Sequence, residues 1–157
     1  MKHLFFVLLT FGNTIAFAQE KDYNHTQTGD APSNVRGSFT KEYPQSSNTR
    51  WEQQGNQWHA NYKDDNNRSA DAYYDGSGNR LETVTSLEKK DIPASVDNEV
   101  NRRYKVNGNY YASRIERPNY GTFYKVKYSR KNKDHMVFMD EAGKKRHFRK
   151  KYSWDKN

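Results

Sequence analysis

Two stretches of the chain carry apolar residues at the spacing of an amphipathic helix, each behind a proline. The prolines are Pro32 and Pro93. The apolar positions that follow are Val35, Phe39 and Tyr43 in the first stretch and Val96, Val100 and Tyr104 in the second. Steps of three and four residues place such side chains on one helix face, and proline is favoured in a first helical turn. The pattern predicts helices at 33–42 and 94–106.

Each predicted helix is followed by segments in which bulky and polar residues alternate, as in strands with one buried face. An Asp-x-x-Gly sequence at 75–78 and again at 140–143 predicts a hairpin loop, because aspartate stabilises the start of such a turn and glycine accepts its left-handed position. A three-residue turn is predicted at 131–133. The predicted strands are 49–54, 57–63, 69–75 and 80–88 in the first half, and 110–117, 122–130, 134–139 and 145–154 in the second.

The two halves therefore repeat one order of elements, at offsets of 61 to 66 residues. We predict an α+β fold of two tandem units, at 32–91 and 92–157, each with one helix packed on a roughly four-stranded antiparallel sheet.

Strand alternation also predicts which side chains cover each helix. In the second unit the predicted set is Tyr124, Val126, Tyr128, Met136, Phe138 and Phe148, with Met136 opposite Phe148 across the loop at 140–143. In the first unit the set begins with Trp58, Ala60 and Tyr62 and extends to Tyr73, Leu81 and Thr83. Asp71 would then also point inward, which requires either a bulge in the strand or a wet edge.

The N-terminus has the pattern of a secretory signal peptide. Lys2 and His3 precede an apolar run at 4–11, and Ala16 and Ala18 provide the small residues that a signal peptidase reads. A membrane anchor is the alternative, but a spanning helix needs about 20 apolar residues. We predict a signal peptide at 1–18 and a polar, flexible leader at 19–31, with no transmembrane span in the mature chain. The protein would then be periplasmic or extracellular.

Composition narrows the class of protein further. The 157 residues include no cysteine, which excludes disulfides, thiol nucleophiles and cysteine-bound metals. Charged residues make up 29%, and the mean hydropathy is −1.30, values typical of disorder. Aromatic residues at 15% argue for a folded domain instead, because they build a core where aliphatic residues are scarce.

Charge is divided unevenly between the two halves. The net charge of +8 includes −3 from residues 19–91, which have 9 basic and 12 acidic residues. Residues 92–157 have 17 basic and 7 acidic residues, a net of +10. Strand alternation predicts that part of this charge forms one basic sheet face, the candidate binding surface. Its members are Lys125, Lys127, Lys145, His147, Arg149 and Lys151.

The order of these motifs resembles the PepSY-like, β-lactamase-inhibitor-like family of exported bacterial proteins, in tandem copies. The resemblance rests on a Pro-led helix ending in Tyr43-Pro44, a following Trp51-Glu52, an alternating aromatic strand, the Asp-x-x-Gly hairpin, and a second copy that opens with Ile92-Pro93. It implies a helix-plus-sheet fold without catalytic residues. It also implies binding or inhibition of other proteins, often peptidases or lactamases, through an exposed sheet.

No catalytic, metal or cofactor site is predicted. His59, His135 and His147 lack metal-ligand spacing, and the loop that starts at Asp75 departs from a calcium loop at Arg80. The serines lack the sequence context of a nucleophile. An enzyme is therefore the least favoured class.

Two functions and one structural alternative remain for the basic face. The first is a non-catalytic module that docks an unidentified envelope or secreted protein, such as a peptidase. The second is a polyanion binder for lipopolysaccharide, acidic glycan or extracellular nucleic acid. Most aromatic residues are predicted on the opposite face, and Phe123 is the clearest candidate beside the cations for base stacking. The structural alternative is a solvated face that keeps the domain soluble.

Overall fold

The structure, a computed structural model, describes residues 26–106 and 109–147, with backbone alone at 26–28. The helices are α1 (Ser33–Glu42) and α2 (Ala94–Tyr104). The strands are β1 (Thr26–Thr28), β2 (Ser47–Gln54), β3 (Gln57–Lys63), β4 (Ser69–Asp75), β5 (Arg80–Leu87), β6 (Tyr110–Arg117), β7 (Gly121–Arg130), β8 (Lys133–Met139) and β9 (Lys145–Arg146). A 3₁₀ turn, Lys89–Asp91, leads from β5 towards α2.

Both helices form where the apolar spacing predicts them. Val35 and Phe39 of α1 and Val96 and Val100 of α2 are buried at i, i+4 spacing. The second helix ends two residues earlier than predicted because Lys105 takes a left-handed conformation, and its N–H bonds the carbonyl of Asn101. Such a residue closes the last turn and stops the helix.

The nine described strands form one antiparallel sheet in sequence order, β1 to β9. This corrects the prediction of two tandem units, each with its own sheet. The two halves meet at β5 and β6, which pair from Thr83 opposite Glu116 to Leu87 opposite Ala112. This pairing satisfies backbone groups that two separate sheets would leave at exposed edges, and such edges invite aggregation.

Both helices pack on the same face of this sheet, named here the helix face. The first cluster joins α1 to β3 and β4 through Val35, Phe39, Ala60, Tyr62, Ala70, Ala72 and Tyr74. The second joins α2 to β6, β7 and β8 through Val96, Val100, Ala112, Tyr124, Val126, Val137 and Met139. In β5, Thr83 lies 2.5 Å from the Tyr43 hydroxyl and Leu87 packs on the second cluster. Because Thr83 and Leu87 are four residues apart on β5, they lie on the same side of the sheet, so both helices lie on that side.

The predicted inward face of β8 is wrong. Val137 and Met139 are buried beneath α2, whereas Met136 is 45% exposed and Phe138 packs against Phe123 on the other face. The turn before β8 holds two residues, Lys131 and Asn132, both left-handed, in place of the predicted three. Side chains along a strand alternate between the two sheet faces. Shortening the turn by one residue therefore moves every side chain of β8 to the opposite face.

The first half shows the same kind of correction. Ala70, Ala72 and Tyr74 face the helix, so the inward prediction for Tyr73 is wrong, as is the inward placement of Asp71. Trp58, Ala60 and Tyr62 lie inward as predicted. Tyr73 pairs with Glu82 and Tyr74 with Arg80, so β5 bulges by one residue at Leu81. The bulge lets Thr83 face inward while leaving Leu81 36% exposed.

Part of the predicted leader belongs to the sheet. Thr26–Thr28 pairs with β2 through backbone hydrogen bonds, which require no apolar side chains and so leave no trace in composition. The predicted signal peptide at 1–18 lies outside the described residues, as do Phe148, Arg149 and Lys151. Among the helices of the described residues, none is long and apolar enough to span a membrane.

Candidate open-face binding site

The face opposite the helices, named here the open face, carries charged and apolar side chains in rows that cross the strands. Directly opposed residues in antiparallel strands share a face. One row runs Ser86, Ser113, Lys125, Phe138 and Arg146 across β5 to β9. The adjacent row on β6 to β8 runs Tyr111, Lys127 and Met136. The sheet register alone therefore assembles these residues from five strands.

The predicted basic surface is divided between the two faces. Lys125 and Lys127 lie on the open face, but Lys145 pairs with the buried Met139 and so lies on the helix face. His147 is exposed just after β9. The Asp-x-x-Gly loop fixes how β9 pairs with β8, and that pairing is as predicted. Because the two-residue turn before β8 exchanges the faces of the β8 side chains, it also exchanges those of β9. Arg146, which the sequence analysis missed, takes the place of Lys145 on the open face.

Lys125 is half-buried, and no carboxylate in the described part of the chain forms an ion pair with it. Burial lowers the pKa of Lys125, and the ammonium of Lys127 lowers it further. Glu82 and Asp71 oppose this shift, but each is engaged with another partner. Among the described residues, Lys125 is therefore a partly desolvated cation that no carboxylate pairs with directly.

Large apolar side chains stand beside these cations. Tyr111, directly opposite Lys127, is 84% exposed, and Met136 on its other side is 45% exposed. Phe123, predicted as the clearest aromatic candidate beside the cations, does lie on this face but is only 2% exposed. Tyrosine and methionine are enriched in protein interfaces relative to the rest of the surface. Sequence reasoning missed Tyr111 because Tyr110 beside it fits the alternation equally well.

At the other end of the open face, the charged side chains of β2 to β4 are mixed in sign and several are paired with one another. The His59 Nε2 lies 2.8 Å from the Asp71 Oδ1, and the His59 ring stacks on Tyr73 at 4.6 Å. Burial raises the pKa of Asp71, but hydrogen bonds from His59 and Asn61 outweigh this and hold the pKa below its usual range. Glu52 lies 3.7 Å from the His59 Nδ1. Arg50 and Lys63 lie on this face as well, so the open face carries both signs of charge at β2 to β4 and is mainly basic at β7 to β9.

A buried ion pair occupies the centre of the open face. The Arg117 guanidinium hydrogen-bonds the Glu82 carboxylate and lies over the Phe123 ring, 5.2 Å from its centroid. Ile115, fully buried, and Phe123, 2% exposed, lie next to this pair. Glu82 belongs to β5 and Arg117 to β6, so the pair ties the two halves of the sheet together.

The histidines of the sheet are engaged with neighbouring side chains. Among residues 26–106 and 109–147, no group of three His, Asp or Glu side chains has the geometry of a metal site. His59 is held between carboxylates, and His135 stacks on Tyr128 on the helix face.

Solved structures share this architecture. A BLIP-like protein from Bacteroides fragilis superposes with a TM-score of 0.69 and 23% identity, over 76% of this chain and 85% of that one. A DUF2874 family protein from Bacteroides ovatus gives 0.66 and 20%, over 73% and 84%. One from Bacteroides uniformis gives 0.67 and 16%, over 74% and 86%. The chain has a BLIP-like fold.

No family model matches the chain, and no curated protein matches it. The BLIP-like fold confirms the coarse part of the predicted resemblance, a helix-and-sheet architecture shared with BLIP-like proteins. At these identities the likeness extends to the fold, and the chemistry of the site rests on this chain's own residues.

Replacing Lys125 with methionine is expected to raise the free energy of unfolding by about 1 kcal/mol at neutral pH. The folded state lowers the pKa of Lys125, so the charged form costs stability at every pH below that lowered value. The gain should shrink as the pH approaches about 10.4, where lysine loses its charge in the unfolded chain as well. Urea unfolding of both proteins across this pH range measures the effect.

Lys127→Met is the matched control, because Lys127 is exposed two residues away on the same strand and face. It should leave the free energy of unfolding nearly unchanged. Equal effects of the two substitutions would show that Lys125 carries no particular desolvation cost.

Proposed function

We propose that this protein is an exported, non-catalytic binding module that docks another protein on the open face of its sheet. The observation that carries the proposal is the exposure of Tyr111 and Met136 on either side of Lys127, on the face that neither helix covers. Exposed apolar side chains grouped among polar ones mark interaction sites. The export half of the proposal rests on the signal-peptide pattern at 1–18.

The fold supports a binding role. Both helices lie on one side, so the exposed side chains of the opposite face, Tyr111, Lys127 and Met136 among them, are available to a partner. A BLIP-like protein is among its structural neighbours, and the motif order resembles β-lactamase-inhibitor-like proteins. The narrower assignment to the PepSY-like family, as tandem sequence repeats, stays a prediction.

The test compares two exposed tyrosines. Tyr111 is 84% exposed on the open face, and Tyr120 is 61% exposed in the turn between β6 and β7. The immobilised protein is incubated with an envelope extract of the producing cells at moderate salt, and retained proteins are identified by mass spectrometry. Tyr111→Asp should reduce retention of the specific partner at least tenfold, because truncating a central interface aromatic costs about 2 kcal/mol or more.

Tyr120→Asp introduces the same charge away from the rows and should retain the partner. Equal retention of the partner by both variants would show that the interface does not lie on the open face. An extract that yields no protein partner for the unaltered chain would contradict the proposed function. Retention of only nucleic acid or glycan, released by modest salt, would identify the protein as the polyanion binder instead.

A further inference from the structure

The row that crosses β5 to β9 combines groups that recognise an anion. It presents the hydroxyls of Ser86 and Ser113, the ammonium of Lys125, the ring of Phe138 and the guanidinium of Arg146. Opposed side chains in adjacent antiparallel strands have Cβ atoms about 4.5–5.5 Å apart. The Ser113 hydroxyl and the Lys125 ammonium can therefore reach the same small group from neighbouring strands.

Lys125 differs from an ordinary solvent-exposed lysine in its partial burial. It is half-buried, whereas Lys127 and Arg146 are exposed. A partly buried cation without a counterion costs free energy, and a ligand anion that pairs with it recovers part of that cost. Within the described residues, the two carboxylates that act on Lys125 are already occupied, Glu82 by Arg117 and Asp71 by His59 and Asn61. The missing counterion must come from outside the described part of the chain.

The size of the site favours a single carboxylate over a chain of phosphates or sulfates. A polyanion binds best to a continuous track of exposed cations. On this face the cations of the row end at Lys125, because the next two positions, Ser113 and Ser86, carry hydroxyls. Lys63 of β3 lies on the same face, but its ammonium is bonded to the Ser69 hydroxyl. A long polyanion lying across the strands would therefore find no continuous track of cations, whereas a protein can present an acidic segment to one half only.

The neighbouring side chains indicate what accompanies the carboxylate. Met136 and Tyr111 stand in the adjacent row, and Phe138 lies within the row itself. The exposed surface of Met136 and Tyr111 would be covered by an apolar side chain next to the acidic one. The partner segment thus pairs a carboxylate with an apolar neighbour.

We propose that the row Ser113–Lys125–Phe138–Arg146 is a carboxylate-recognition site, which receives a glutamate or aspartate side chain of a docking protein while an adjacent apolar side chain packs on Tyr111 and Met136. This inference deepens the proposed function and rests on it. It assigns the basic half of the open face to an acidic-apolar protein segment.

The experiment uses a defined probe in place of the unknown partner. A capped peptide, Gly-Glu-Phe-Gly, is titrated into the isotope-labelled protein, and backbone amide shifts are followed by NMR. The expected shifts cluster at Ser113, Lys125 and Phe138. The same peptide with glutamine in place of glutamate should bind at least tenfold more weakly. Equal binding of the two peptides would overturn the proposal.

Two lysine variants locate the effect. Lys125→Gln should weaken binding of the glutamate peptide about tenfold, whereas Lys131→Gln, which removes the same charge from the turn between β7 and β8, should leave it within twofold. Equal losses would show general charge attraction and contradict a built site. Ser113→Ala provides a second test that keeps all charges, and it should weaken binding several-fold with an unchanged thermal midpoint.

Heparin, a sulfated glycan, separates the two classes of ligand at the same ionic strength. If heparin shifts the amide signals of the row residues and the glutamate peptide does not, the site binds polyanions and the proposal is wrong. The outcome is distinguishable from failure of the proposed function. If Tyr111→Asp captures the partner as well as the unaltered protein does, docking on the open face is contradicted. If the two peptides bind equally, only the carboxylate site is contradicted, and docking on the open face is unaffected.

Discussion

Arg117→Leu is expected to lower the free energy of unfolding by about 3–5 kcal/mol, the cost of breaking a buried ion pair from one side. The Arg117 side chain is 6% exposed and that of Glu82 11%. Removing the guanidinium leaves the Glu82 carboxylate buried without this partner at the junction of β5 and β6. Equilibrium unfolding in urea, followed by circular dichroism, measures the loss.

The double substitution distinguishes an unpaired charge from lost packing. Glu82→Leu with Arg117→Leu removes both charges and should be clearly more stable than Arg117→Leu alone. The matched control is Arg102→Leu, which breaks the pair with Glu99 on the outside of α2, where Arg102 is 69% exposed. Exposed pairs contribute little, so this variant should remain close to the unaltered protein. A double variant no more stable than Arg117→Leu would contradict the ion-pair explanation.

Gly143→Ala is expected to destabilise the protein by about 3 kcal/mol, combining left-handed strain with a clash. Gly143 has φ +78°, and a Cβ placed there would lie 2.6 Å from the backbone oxygen of Ser95. Ser95 belongs to the first turn of α2, so the loop presses directly on the helix. Relief of the clash would require α2 or the loop to move. Thermal and urea unfolding of the purified variant measure the effect.

Two other glycines separate strain from contact. Gly121 has nearly the same φ, +76°, and a Cβ added there would meet nothing within 4 Å, so Gly121→Ala should cost only about 1–2 kcal/mol. Gly78 is intermediate, because its Cβ would lie 3.1 Å from the Asn34 oxygen. The expected order of destabilisation is Gly143, then Gly78, then Gly121. Equal losses at all three positions would show that φ alone decides the cost.

The glycine contacts show how well local patterns predict local structure. The Asp-x-x-Gly sequences predict both hairpin loops, and in each the aspartate accepts a backbone N–H from within the loop. The proline-led apolar steps predict both helices. These features depend on residues close together in sequence, so their signals are visible there. The contact of Gly143 with Ser95 joins residues 48 positions apart and has no such signal.

The candidate site is predictable in part. Strand alternation identifies Lys125 and Lys127, and both lie on the open face. It misplaces Lys145 and misses Arg146 because one residue in a turn inverts the faces of two strands. It also misses the exposed apolar members, Tyr111 and Met136, because a sequence pattern shows that a strand has two faces but not which one the helix covers.

Local sequence features suffice to specify the helices, most strand positions, the hairpin glycines and the concentration of positive charge in the second half. Each depends on spacing, turn chemistry or composition, which act over a few residues. Three outcomes become visible only in the folded chain: β5 pairs with β6, both helices share one side, and Lys125 lies half-buried between Ser113 and Phe138. Those outcomes depend on which strand edges meet and on turn length to the residue, and packing across the whole sheet selects among them.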